Sequence, residues 1–165
     1  IGIKDTDDYG AIINEERMTA ILMAVEDAQK RGAKVLTGGK RIPGKGYFMA
    51  PTVLENISPK DPLSCEEIFG PVVILYKVKN IKEAIKLAND SELKLTGAIH
   101  TQNMGRAQDF IEQYRAGVVR VNGPTHGSEP HMPFGGIGLS GNGWREPGTK
   151  ALDFYSEWKQ VSIDI

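Results

Sequence analysis

One cysteine, three histidines and a cluster of glycines are the residues of this chain whose types and spacing suggest chemistry. Cys65 is the lone thiol, a natural candidate for a nucleophile. Glu66 and Glu67 follow it directly, and two anions disfavour the thiolate that would attack. An ordinary, partly buried cysteine is the better reading. Gly136-Ile137-Gly138-Leu139-Ser140-Gly141 matches the dinucleotide pattern G-x-G-x-x-G letter for letter. That pattern cradles phosphate only where it follows a strand and opens a helix. Met132-Pro133-Phe134 precedes it, and proline does not suit a central strand, so a tight structural loop is predicted instead. His126, Glu129 and His131 bring three metal-ligand types together. Their spacing, H-x-x-E-x-H, is not a zinc pattern, and a loop holding Pro130 makes a poor cage, so no metal is expected. His100 reads as structural or surface. On spacing alone, Glu66-Glu67 ahead of Ile68-Phe69-Gly70-Pro71 reads as a solvated helix end and a turn.

These residues must be positioned by 165 residues, enough for one domain and short for two of ordinary size. Apolar residues are 40% and charged residues 25%, a globular composition that excludes disorder. Lys plus Arg is 20 against 21 for Asp plus Glu, a net charge of -1. So even a balance leaves no electrostatic footprint for nucleic acid or an anionic membrane. No apolar run approaches the roughly 18 residues that span a bilayer. Ile1 to Gly10 carries Asp5, Asp7 and Asp8 and does not read as a signal peptide. One cysteine excludes an internal disulfide framework. A soluble, cytoplasmic protein is expected.

Periodicity supplies the elements. Met18, Ile21, Leu22, Val25 and Ala28 recur at helical spacing over Glu15 to Arg31, with Asn14 as N-cap and Gly32 as the stop. Lys34 to Thr37 reads as a strand, and Tyr47 to Leu54 as β-compatible, bent or at an edge because of Pro51. Val72 to Val78 is β-branched and predicts a strand buried on both faces. Asn80 and Glu83 open a helix to about Asn89, Gly97 to Thr101 is a strand, Met104 to Arg115 a helix and Val118 to Asn122 a strand. That β-α-β-α-β order predicts a parallel sheet with right-handed crossovers. A Gly/Pro-rich loop, a short helix over Thr149 to Tyr155 and an alternating last strand, Val161 to Ile165, complete the chain.

Glu66-Glu67-Ile68-Phe69-Gly70-Pro71-Val72 resembles the E-x-F-G-P motif of the aldehyde dehydrogenase superfamily. Pro133-Phe134-Gly135-Gly136, then Ser140-Gly141 and Arg145-Glu146, is similar to that family's P-F-G-G-x-x-x-S-G…R-E signature. Gly10 to Asn14 and Gly32 to Gly39 resemble its "GPLIN" and "GAKVLTGG" stretches. Two departures stand out: Gly138 where the family very often has lysine, and Trp144 inserted before Arg145-Glu146. The resemblance covers essentially the whole chain and places it in the C-terminal third of such an enzyme.

The resemblance implies an α/β fold, a mostly parallel sheet with flanking helices: residues 1–155 a partial catalytic domain, 156–165 an oligomerisation-type strand. It implies NAD(P)-dependent oxidation of an aldehyde to an acid. A cysteine attacks the aldehyde, hydride passes from the adduct to nicotinamide, and water activated by a glutamate releases the acid. Carried over, Glu67 would hold the ribose hydroxyls beside nicotinamide and Phe69 would pack by that ring. Phe134 would line the aldehyde pocket, and Glu146 would stand behind the general base. For each, a packed structural residue is the plain alternative. Nucleophile, general base and dinucleotide domain would lie in an N-terminal portion, so the lone chain is expected to be inactive and to hold no tightly bound NAD or NADP. That N-terminal portion and further copies of the chain are the expected partners. A stand-alone nucleotide-binding or assembly module is the alternative. The loop Asn122 to His131 resembles those of semialdehyde-oxidising members.

Overall fold

In the computed structural model of the chain, which describes residues 1–165, Asn14 starts the first helix. Its side-chain oxygen accepts the Arg17 amide at 2.8 Å, satisfying one of the amides that a helix start leaves free. Helix α1 runs Glu15–Lys30 and buries Met18, Ile21, Val25 and Ala28, the stripe its spacing predicts. Gly32, at φ +104°, makes the left-handed turn that ends it. The chain divides into two compact units, Ile1–Val78 and Lys79–Ile165.

In the first unit, β1 (Lys34–Thr37) pairs antiparallel with β2 (Thr52–Glu55). The four-residue helix α2 (Pro62–Cys65) follows, and β3 (Val72–Leu75) pairs parallel with β2, with Thr52 opposite Val72. The core joins Ile21, Val25 and Ala28 of α1 to Met49, Leu54, Ile57 and Leu63. Asp61 caps α2, accepting the Leu63 amide at 2.9 Å, and takes a two-point bond from Arg31 at 2.6 and 2.8 Å. Two expectations need correction. Tyr47 to Leu54 is mostly irregular, the strand starting only after Pro51. The third strand ends at Leu75 and is covered on one face only: Val72 and Ile74 pack on the core, whereas Val73 is 56% exposed. Alternation sends its side chains to opposite faces, and α1 covers just one.

In the second unit, Asn80 accepts the Glu83 amide at 3.0 Å and Glu83 accepts the Lys79 amide at 2.7 Å, so the cap-like pair forms and opens α3 (Ile81–Asn89). Next come β4 (Leu93–Lys94), β5 (Thr96–Ile99), α4 (Met104–Gln113) and β6 (Val118–Val121), with β5 and β6 parallel across α4. Ile85, Ala107 and Phe110 are buried, and Phe110 stacks on Tyr114 at 4.7 Å. The two-residue β7 (Ile137–Gly138) pairs antiparallel with β4, and α5 (Ala151–Phe154) is a single turn.

The expected mostly parallel sheet is therefore corrected to three small sheets: β1-β2-β3, which is mixed, β4-β7, which is antiparallel, and β5-β6, which is parallel. The alternation of elements does predict the crossover β5-α4-β6. It does not reveal that β3 takes its partner from earlier in the chain. Val161 to Ile165 forms no ladder in the single chain, and Val161 and Ile163 stand exposed. Alternation marks a segment that can pair, but pairing needs an edge to receive it. No helix is long and apolar enough to cross a membrane.

Candidate functional site

The turn Glu66 to Pro71 leaves α2 and leads into β3. Phe69 holds φ +51°, the left-handed region, and its ring is 71% exposed. Gly70 lies against α1 so closely that a Cβ there would meet Ile21 Cδ1 at 2.6 Å. Pro71 accepts the Thr52 amide at 2.8 Å, tying the turn to β2. Arg17 donates from Nη2 to the carbonyls of Glu67, at 2.8 Å, and Ile68, at 2.6 Å. A cleft of about 520 Å³ is lined by residues between Ala11 and Ala20, Arg17 among them, and by Phe69. Glu67 is exposed on the same turn but does not line the cleft. An exposed carboxylate and an exposed aromatic side chain on one turn, with a guanidinium from α1 bonded to it, suit a ligand that offers hydroxyls and a flat ring.

The second pair of sequence-predicted residues forms one bridge. Phe134 and Glu146 exchange both backbone hydrogen bonds, at 2.8 and 2.9 Å, closing residues 135–145 into a loop. Phe134 is half-buried and Glu146 exposed. The neighbouring Glu146 carboxylate raises the Tyr155 pKa above the ordinary phenol value.

The G-x-G-x-x-G segment is a tight turn. A Cβ at Gly136 would run into the Ser140 backbone, Gly138 sits at φ +61°, and Ser140 Oγ accepts the Lys94 amide at 2.9 Å. Arg145 donates to the Gly136 carbonyl at 3.1 Å. The loop is thus fastened to β4 and opens no long helix. Cys65 is exposed, not partly buried, because it falls at the last position of a single-turn helix; its thiol donates to the Pro59 carbonyl at 3.4 Å. His100, His126, Glu129 and His131 are exposed, and no three His, Cys, Asp or Glu residues are arranged to hold a metal ion.

Arg17 and Tyr155 escape the sequence reading. Arg17 sits in the first turn of a well-capped helix and acts on a turn 50 residues away, a contact that no local spacing announces.

The family model described as "Aldehyde dehydrogenase family" matches residues 2–161. The alpha-ketoglutaric semialdehyde dehydrogenase of Bacillus subtilis is 37% identical over 158 residues, covering 93% of this chain and 32% of that protein. The 2,5-dioxopentanoate dehydrogenase of Saccharolobus solfataricus is 39% identical over 161 residues, covering 97% and 34%. Among solved structures, the NAD-dependent aldehyde dehydrogenase from Sinorhizobium meliloti gives a TM-score of 0.89 at 35% identity, covering 94% of this chain and 31% of that one. The chain spans about a third of the length of the relatives it matches.

Proposed function

The chain belongs to the aldehyde dehydrogenase family, and on that premise we propose that it is the C-terminal third of an enzyme oxidising an aldehyde to a carboxylic acid with NAD or NADP. The observation carrying this reading is the Glu66–Pro71 turn, whose Phe69 lines a cleft while Glu67 stands exposed on the same turn. When bound, the nicotinamide supplies the hydride acceptor. Glu67 accepts hydrogen bonds from two neighbouring ribose hydroxyls, and Phe69 packs beside the nicotinamide ring. Phe134 forms an apolar wall of the aldehyde pocket. Glu146 stands behind the general base. The relatives named for semialdehydes support a semialdehyde substrate, with the loop Asn122 to His131 shaping its approach.

In this reading the nucleophile, the general base and the dinucleotide-binding domain come from outside these 165 residues. Cys65 takes no part, since it lies in the helix ahead of the cofactor turn. The isolated chain is expected to give no turnover with alpha-ketoglutaric semialdehyde and either nucleotide. Adding the remaining portion of the enzyme in trans should restore turnover, and Cys65→Ser should leave that turnover unchanged. Oxidation by the lone chain would overturn the proposal. Tight nucleotide binding by the lone chain, with no turnover in either preparation, would favour a stand-alone module instead.

A further inference from the structure

Arg17 reaches across 50 residues of sequence to hold one turn. Its Nη2 donates to the two successive carbonyls of Glu67 and Ile68, neither of which receives a backbone amide. Its guanidinium carbon stands 5.6 Å from the centroid of the Phe69 ring, within cation–π range. One group therefore secures both carbonyls ahead of Phe69 and the Phe69 side chain itself. The base of this arm is fixed as well. The Arg17 amide donates to the Asn14 cap, so the side chain springs from an ordered first turn and not from a frayed end. The turn needs an outside anchor. Phe69 sits in a backbone region that bulky residues avoid, and its exposed ring gains little from packing.

We propose that Arg17 is a positioning residue: it holds the Glu67–Phe69 turn in the shape that lets carboxylate and ring meet the nicotinamide half of the dinucleotide. This inference rests on the cofactor reading of that turn. Lysine cannot substitute fully. An ammonium donates to carbonyls, but it has no planar face to lie over the ring.

Two measurements test the proposal. In the 165-residue chain, Arg17→Met should drop the backbone order parameters of Ile68, Phe69 and Gly70 from about 0.85 to below about 0.6. Those of β1, β2 and β3 should stay put, which shows that the unit still folds. In the complete enzyme, the same change should raise the NAD dissociation constant about tenfold, with Arg17→Lys falling between. Unchanged order parameters at the turn would overturn the proposal. A loosened turn with unchanged NAD affinity would overturn it too, because Arg17 would then serve the fold alone. Glu67→Gln, measured alongside, keeps the two readings apart. If that variant binds NAD as the parent does while Arg17→Met weakens binding, Glu67 loses its cofactor role and Arg17 keeps its own.

Discussion

Phe69 occupies a backbone region that costs an L-residue with a bulky side chain about 1–2 kcal/mol. A turn that bears such a cost beside an open cleft has been shaped for something other than stability. Glu67 is the residue where this is best tested. Replacing it with glutamine turns a charged acceptor into a neutral one and puts about 1.5–3 kcal/mol of charge-assisted bonding at risk. In the complete enzyme, Glu67→Gln should slow hydride transfer while the melting temperature of the chain stays the same. Rapid-mixing detection of reduced nucleotide, paired with a thermal melt, checks both halves. The turn that carries Glu67 and Phe69 was readable from a motif because its residues are contiguous in sequence, and the roles proposed for them rest on that motif. Arg17 was not readable, because its contact joins a helix face to a distant turn and only the fold brings them together.

At the scale of elements, caps carried most of what could be read in advance. Asn14 and Asn80 form the caps that their positions announce, and α1 buries the stripe that its periodicity predicts. Strand partners were harder, since a β-branched run fixes a conformation but not a neighbour, and β3 turned out to pair backwards with β2. Gly136 to Gly141 shows the opposite failure: the letters fit a phosphate cradle, while the glycines are needed because the backbone doubles back on itself. Asp61 ties elements together by capping α2 and bonding Arg31 from the end of α1. The Arg31 hydrogen bond holds the Asp61 carboxyl below its ordinary pKa. That contribution to stability is complete above the ordinary carboxylate range and is lost as pH falls through the lowered value. Asparagine keeps one oxygen to cap α2 but loses both the charge and the second acceptor that Arg31 uses, so Asp61→Asn should destabilise the fold at neutral pH. Denaturant unfolding at about pH 7 should separate the two proteins, and at about pH 3 their curves should draw together.

For the whole molecule, the exposed end of the chain is the feature with the largest consequence. Val161, Ile163 and Ile165 lie on one side of an alternating segment that has no partner in a single copy, and Trp158 is 94% exposed beside them. Here the sequence pattern was legible but its realisation was not, because a single chain supplies no edge to complete the ladder. We propose that the segment pairs with a second copy, and a two-fold dimer would satisfy both ends at once. Sedimentation at micromolar concentration should show a dimer for the intact chain and a monomer once residues Ser156 to Ile165 are removed. A monomer in both preparations would rule out the pairing. A dimer in both would move the interface to another surface.

The bridge between Phe134 and Glu146 has a bearing on descent. Because the two residues grip each other through reciprocal backbone bonds, the span between them is a closed cassette whose ends are held together. Exposed interior positions such as Leu139 are free to change, whereas Gly136, Gly138, Ser140 and Gly141 are held by the tight backbone path and the bond to Lys94. Trp144 lies inside the cassette, and its indole rests edge-on against Phe154 at 5.8 Å. Variation among descendants of this chain should collect at exposed positions such as Leu139 and spare Gly136, Ser140 and Gly141.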